Sequence, residues 1–279
     1  MVAEKMEHAG KVRYSDFEKI FHHLNTLCWE CNLDDQIIFD IAASNFAKIS
    51  ANCTQNRTVV RLAGQSGSGK TTQLLPCAKR YFAKKNLRPI NLAVREFASL
   101  HPHYAEIIQK FGQSEMREKT NLFSLKCLLV TLIFAINDGY DILFEVTYLT
   151  PEFEDFVNQW LAAKHYQKIN LVLAVNQKIS DYFIEKRKNL AEKESGRIVY
   201  QTSADFFYNV LARAMQYYAQ NYPQEKVIIW DAYATKPIYT GEFSHSLAPF
   251  AAARKNISDH FTDEDLLRNA KIDYLLNLD

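Results

Sequence analysis

The feature that most constrains this chain is a glycine-rich segment that joins a predicted strand to a predicted helix. The segment satisfies every position of the phosphate-loop pattern G-x-x-x-x-G-K-[ST] and reads Gly64-Gln65-Ser66-Gly67-Ser68-Gly69-Lys70-Thr71-Thr72. Its glycines allow successive backbone N–H groups to converge on one point, where they and the following helix N-terminus bind phosphate oxygens. The sequence therefore predicts a binding site for a nucleoside triphosphate.

Two side chains of this segment have predicted roles, with ATP and Mg²⁺ as the expected cofactors. Lys70 is expected to contact the β- and γ-phosphates, and Thr71 to give its hydroxyl to Mg²⁺. A flexible Gly/Ser turn that contains a lysine by chance is the alternative. The apolar, β-branched strand at 58–63 and the helical pattern at 70–84 disfavour that alternative, because a phosphate loop lies between such elements.

Composition is that of a compact protein of mixed helices and strands. The 279 residues are 48% apolar and carry a formal charge of +1, which disfavours a nucleic-acid binder or a membrane-surface binder. The first eight residues are too charged for a signal peptide. The longest apolar run, 127–136, is about half of a bilayer crossing. We expect a protein that acts in the cytosol, either of its own cell or of another cell after delivery.

Predicted strands and helices alternate after residue 57. The strands are expected at 58–63, 89–94, 141–146, 169–175 and 226–231. Strands that alternate with helices need right-handed crossovers, so the fold class is predicted as α/β, a doubly wound, mostly parallel sheet of the P-loop kinase type. Two helical patterns, 15–31 and 34–51, predict an N-terminal extension (1–57) packed on a single kinase-like domain (58–279). Beyond 232 only a helix near 263–270 is predicted.

The spacing of Cys28 and Cys31 offers two interpretations. A C-x-x-C pair is found in zinc and redox sites, but no second pair and no suitably spaced histidine pair completes a four-ligand set. Within a helical pattern, the same spacing places two small apolar side chains on one buried face. We therefore predict a packing role for the pair.

The remaining motifs decide between classes of phosphate-loop protein. Residues 176–181 match the guanine-reading pattern N-K-x-D only loosely, and no acidic pair ends a hydrophobic strand as in motor and helicase ATPases. A metabolite kinase fits the length better than either class.

Further segments resemble one family. After the second strand come Phe97-Ala98-Ser99-Leu100-His101-Pro102-His103-Tyr104, Phe111-Gly112, Gly139-Tyr140-Asp141-Ile142-Leu143-Phe144-Glu145 and Gly196-Arg197-Ile198-Val199. Their order and spacing, together with the phosphate loop, resemble the zeta-toxin family of bacterial toxin–antitoxin systems over residues 56–233. The H-P-x-Y element is the most specific part of this resemblance.

The resemblance implies a kinase that moves the γ-phosphate of ATP onto a hydroxyl of a nucleotide sugar, typically UDP-N-acetylglucosamine. It also allows an antitoxin-like protein partner that covers the phosphate loop. By position, Glu145 matches a substrate-contacting glutamate, and Arg187 and Arg197 match two lid arginines, which would stabilise the charge of the transferring phosphoryl group. His101 and Tyr104 are expected to shape the acceptor pocket. The alternatives are a solvated helix face for Arg187, an exposed strand end for Glu145 and loop packing for His101 and Tyr104.

Two positions depart from the family pattern. Arg95 stands where the family has the aspartate that accepts the proton of the substrate hydroxyl, and arginine stays protonated. Glu96 is the candidate replacement base, although neighbouring strand residues face opposite sides and a bulge would be required. Residues 127–129 likewise replace a sugar-binding glutamate.

Two hypotheses follow from these departures. The protein is either a kinase with an altered acceptor, or a nucleotide-binding module that acts through a partner without transferring phosphate.

Overall fold

A six-stranded sheet forms from the apolar segments that the sequence marks as strands. The computed structural model describes residues 12–27, 31, 33–145, 149–194, 202–234 and 236–256, without the side chains of 113, 114, 117, 187–194 and 202–207. The spatial order of the strands is β2-β3-β1-β4-β5-β6. In chain order they are β1 Thr58–Gly64, β2 Ile90–Ala93, β3 Ile142–Glu145, β4 Gln167–Leu173, β5 Lys226–Trp230 and β6 Tyr239–Glu242.

Helices occupy most of the connections. Their bounds are α1 Glu18–Asn25, α2 Asp35–Ser50, α3 Leu75–Lys84, α4 Tyr104–Asn137, α5 Pro151–Ala163, α6 Gln177–Glu194, α7 Thr202–Asn221 and α8 Leu247–Lys255. A π-helical turn, Lys70–Leu74, precedes α3, and a 3₁₀ segment, Val94–Leu100, follows β2. The predicted α/β class with a mostly parallel sheet is confirmed; β4 pairs with β5 in parallel, and β6 pairs with β5 antiparallel.

The described residues fall into two compact units. The first lies within Met1–Val59, Arg88–Ile142 and Thr150–Gln167, and the second within Val60–Leu87, Leu143–Leu149 and Lys168–Asp279. In the first unit α2 packs on α4, with the ring centroid of Phe134 5.9 Å from that of Phe39 and 5.4 Å from that of Phe46. The division into an extension (1–57) and a kinase-like domain (58–279) stays a prediction.

Strand residues of the second unit alternate between two apolar clusters. Leu171 and Leu173 of β4 join one cluster together with residues of α3, while Val172 joins the other together with residues of α7 and α8. This two-residue period buries the strand on both faces, as expected for a central strand of a doubly wound sheet. Sheets of this kind bind ligands at the carboxyl ends of their strands.

Several local expectations were wrong. The helix expected at 15–31 ends at Asn25, so Cys31, which is half-buried, lies outside it, and Cys28 lies outside the described residues. The second strand ends at Ala93, which places Arg95 and Glu96 in a 3₁₀ segment, so the opposite-faces argument does not apply to them. The sequence also predicts a long helix at 115–137, whereas α4 starts at Tyr104 and is broken at Gly112, whose φ is +75°. The helix expected near 263–270 lies outside the described residues.

Within the residues that the structure describes, one helical stretch has the length and hydropathy of a membrane span. It is Glu118–Asn137, with a mean hydropathy of 1.6, and 83% of it is buried inside the protein. A core helix of α/β proteins has the same composition, and the packing of α4 on α2 accounts for the apolar residues here.

Candidate active site

The phosphate loop connects β1 to the π-helical turn and lies in the second unit. β1 is buried along its whole length, and the loop leaves its carboxyl end. Gly67 has a φ of +77°, and a Cβ there would lie 2.3 Å from the Ser180 carbonyl oxygen. The Ser68 N–H donates to the Gln65 carbonyl oxygen at 3.2 Å, which closes the turn. The backbone conformation therefore depends on glycine, as the motif predicts.

The Lys70 ammonium group lies against the loop itself. Its Nζ donates to the carbonyl oxygens of Gly64 and Gln65, the latter at 3.1 Å. The Gly69 carbonyl accepts from the Gln73 N–H at 2.8 Å, so the helical hydrogen bonding begins at the end of the loop. The sequence-predicted lysine is thus held directly over the segment that is expected to bind phosphate.

Thr71 and Glu145 meet at the carboxyl ends of β1 and β3. The Thr71 hydroxyl donates to Glu145 Oε1 at 3.0 Å, and Thr71 is exposed while Glu145 is half-buried. Both groups offer oxygen ligands of the kind that Mg²⁺ prefers. The substrate contact expected for Glu145 stays a prediction, and the structure adds that this carboxylate is the hydrogen-bond partner of the loop threonine.

Buried polar atoms surround the loop. The Gln65 side chain is fully buried, and its Nε2 donates to the Val175 carbonyl oxygen at 2.7 Å and to Ser180 Oγ at 3.0 Å. The Ser68 Oγ atom is also buried, without a hydrogen-bond partner among the described residues. A buried hydroxyl without a partner marks a place where a ligand can complete the hydrogen bonding.

Comparison with known families identifies this arrangement. The zeta toxin family model matches residues 45–243, which includes the whole phosphate loop and Glu145. The chain belongs to the zeta-toxin family. The resemblance predicted from the sequence is therefore confirmed.

Solved structures support the same fold. A structure of the PezAT chromosomal toxin–antitoxin system of Streptococcus pneumoniae is similar over 88% of this chain and 97% of that chain, with a TM-score of 0.66 and 19% identity. The AvrRxo1-ORF1:-ORF2 structure with ATP is similar over 96% of this chain and 87% of that chain, with a TM-score of 0.50 and 12% identity. No curated protein sequence matches this chain. At these identities the similarity establishes the fold alone.

The H-P-x-Y element of the zeta-toxin pattern lies in the first unit. His101 is buried, and its Nδ1 accepts a hydrogen bond from the His103 N–H at 3.1 Å. Burial lowers the pKa of the His101 imidazole, with a smaller contribution from His103. Because Nδ1 accepts this hydrogen bond, a neutral imidazole has its proton on Nε2 and can donate from that atom. Half-buried Tyr104 begins α4, and its N–H donates to the His101 carbonyl oxygen at 2.9 Å.

Glu96, Arg187 and Arg197 are the remaining predicted site residues. Glu96 and Arg95 are both exposed in the 3₁₀ segment of the first unit. Arg187 belongs to α6, but its side chain is not among those described, and Arg197 lies outside the described residues. Their catalytic roles stay predictions. No group of three or more His, Cys, Asp or Glu side chains that could bind a metal occurs in the part of the chain that the structure describes.

Sequence reasoning missed Ser180 and Val175, the two partners of the Gln65 side chain. They lie 115 and 110 residues beyond Gln65, and no local motif marks either of them. Their association with the loop comes only from the sheet, which brings the end of β4 and the start of α6 beside it.

Proposed function

We propose that this zeta-toxin family member is an ATP-dependent kinase that transfers the γ-phosphate to a hydroxyl of a nucleotide sugar or a related nucleotide metabolite. The observation that carries the proposal is the convergence of Lys70, Thr71 and Glu145 at one phosphate loop. A protein that only binds a nucleotide would have no evident use for Glu145, the acidic partner of Thr71, or for the two predicted lid arginines.

ATP binding at this loop follows from its donors. The Lys70 ammonium group has three N–H donors, so it can keep its hydrogen bond to the Gln65 carbonyl and also donate to oxygens of the β- and γ-phosphates. The buried Ser68 hydroxyl supplies a further donor. The AvrRxo1-ORF1:-ORF2 structure, which has the same fold, was solved with ATP.

Mg²⁺ fits the residues beside the loop. The Thr71 hydroxyl and the Glu145 carboxylate are hard oxygen donors that already lie within hydrogen-bonding distance of each other. When bound, the ion neutralises charge on the phosphates. The Thr71 and Glu145 side chains would hold the ion at the end of the loop, and Lys70 would contact the phosphates from the loop itself.

The transfer step makes one bond and breaks one. The acceptor hydroxyl oxygen bonds to the γ-phosphorus as the bond from that phosphorus to the β,γ-bridging oxygen breaks, and ADP leaves. The hydroxyl proton passes to Glu96, which replaces the family aspartate. Arg187 and Arg197 stabilise the charge on the transferring group, the role that an arginine supplied in cis performs in other phosphoryl transferases.

A second candidate function has one observation in its favour. Arg95 occupies the position of the family's proton-accepting aspartate, and arginine cannot accept that proton. In this case the protein binds ATP and acts through a protein partner without phosphate transfer. An antitoxin-like partner is proposed under either function, since the similar PezAT structure belongs to a toxin–antitoxin system.

Incubation with labelled ATP, Mg²⁺ and a panel of UDP-sugars, NAD and nucleosides tests the proposal. Mass spectrometry should find the gain of one phosphate on one acceptor with the wild-type protein and none with Lys70→Ala. If the wild type binds ATP but phosphorylates nothing in the panel, the second candidate replaces the first.

A further inference from the structure

The Gln65 side chain has a fixed orientation. Its Nε2 donates to the Val175 carbonyl oxygen and to Ser180 Oγ, whereas its Oε1 has no hydrogen-bond partner among the described residues. Because a backbone carbonyl can only accept a hydrogen bond, the amide nitrogen must face Val175. The reversed amide would place two acceptors 2.7 Å apart in a fully buried position.

The partners of this amide belong to well-formed elements of the second unit. Val175 follows β4, and Ser180 lies in the first turn of α6. Asn176 caps α6, since its Oδ1 accepts from the Lys178 N–H at 3.0 Å and its carbonyl accepts from the Ser180 N–H at 3.3 Å. The Gln65 amide is thus anchored to the end of a central strand and the capped start of a helix.

The main chain of the same residue holds the catalytic lysine. The Gln65 carbonyl oxygen accepts from Lys70 Nζ at 3.1 Å and from the Ser68 N–H at 3.2 Å. Gly67 contacts α6 as well, through its close approach to the Ser180 carbonyl. A shift of the Gln65 backbone would therefore move the anchor of Lys70 and the turn of the loop together.

We propose that Gln65 is a positioning residue, whose buried amide sets the location of Lys70 by fixing the loop backbone to the end of β4 and the start of α6. The inference rests on the proposed nucleotide site and concerns its geometry, not the acceptor. Small displacements of a positioned group have large effects on phosphoryl chemistry, because that chemistry depends mainly on positioning and charge.

A double-mutant cycle with Lys70 separates positioning from a general structural role. Titration of a fluorescent ATP analogue with Mg²⁺ measures the affinities of the wild type, Gln65→Met, Lys70→Ala and the double variant. We expect Gln65→Met to weaken binding about tenfold, which corresponds to about 1.4 kcal/mol. In the Lys70→Ala background the same change should cost less than about twofold, because the amide acts through the lysine.

Two further variants complete the design. Ser180→Ala removes one acceptor of the amide without changing the loop, and we expect about threefold weaker binding that also disappears in the Lys70→Ala background. If Gln65→Met fails to fold, the Ser180→Ala variant still tests whether the amide positions Lys70.

Gln55→Met is the matched control. Gln55 Nε2 also donates to a backbone carbonyl, that of Asp138, but at an exposed position of the first unit. Its affinity should equal that of the wild type.

Two results would overturn the inference. The first is wild-type affinity for the ATP analogue in both Gln65→Met and Ser180→Ala. The second is a loss of affinity on Gln65→Met that is as large in the Lys70→Ala background as in the wild type. A wild-type protein that binds no nucleotide refutes both this inference and the proposed function. A wild type that binds the analogue but transfers no phosphate refutes only the kinase, and the cycle still decides the role of Gln65.

Discussion

Replacing Gly67 by alanine combines two costs at one residue of the phosphate loop. The φ of +77° costs a residue with a Cβ about 1–2 kcal/mol. The new Cβ would also lie 2.3 Å from the Ser180 carbonyl oxygen, which belongs to the α6 backbone and cannot rotate away as a side chain could. Overpacking of this kind costs about 1–3 kcal/mol. Together the two costs should lower the free energy of unfolding by about 2–5 kcal/mol, unless the loop moves to relieve the contact.

Gly139→Ala is the matched control for this experiment. Gly139 has nearly the same φ, +79°, but the nearest atom to its added Cβ is Nε of Arg57, at 3.4 Å, on a flexible side chain. This variant therefore carries only the conformational cost of about 1–2 kcal/mol. Gly139 lies outside the phosphate loop, so ATP affinity should not change.

Thermal unfolding and ATP titration together read out both costs. At about 2–4 °C per kcal/mol, Gly139→Ala should lower Tm by about 2–8 °C. Gly67→Ala should lower Tm further and weaken ATP binding at least tenfold, because either the loop or the start of α6 must move. The reasoning would be refuted if Gly67→Ala kept the ATP affinity of the wild type and had the same Tm as Gly139→Ala.

Three further substitutions test the proposed chemistry. Lys70→Ala should weaken Mg²⁺-dependent ATP binding on the order of a hundredfold and abolish transfer, since it removes the loop cation; unchanged titration and turnover would contradict this. Glu96→Gln should leave ATP binding intact and lower the transfer rate about 10²-fold, the low end for a general base; equal transfer rates would show that Glu96 is not the base. A gain of UDP-sugar phosphorylation in Arg95→Asp would indicate a retained acceptor pocket, whereas no gain, together with no effect of Glu96→Gln, would favour the nucleotide-binding module. Arg197→Ala should lower kcat more than it raises the KM for ATP, because its contact strengthens in the transition state; an effect confined to KM would argue against a lid arginine.

Much of the fold could be predicted because its signals are local. The strand patterns at 58–63 and 226–231 became β1, Thr58–Gly64, and β5, Lys226–Trp230, since runs of apolar and β-branched residues need burial on both faces. β6 was missed. Its four residues, Tyr239–Glu242, carry no apolar alternation, and they form a strand only because β5 offers an unpaired edge.

Arg61 illustrates a different limit of sequence reasoning. It lies in the middle of β1 and reads as an interruption of an apolar strand, yet it is buried. Its Nη1 donates to the Tyr218 hydroxyl at 2.5 Å, and its guanidinium lies 5.3 Å from the Phe144 ring centroid. Both partners come from distant segments, so their stabilising contacts with this charge were invisible in the sequence.

The sequence by itself determined the phosphate loop, because a nine-residue motif encodes its own backbone path through glycines and carries its lysine and threonine with it. It also determined the family and the α/β class, through short-range patterns. Only the tertiary structure decided that Glu145 meets Thr71 and that Gln65 is anchored by Ser180. Those pairs are separated by 74 and 115 residues, and a hydrogen bond across such a distance depends on strand order and register, which no local pattern specifies.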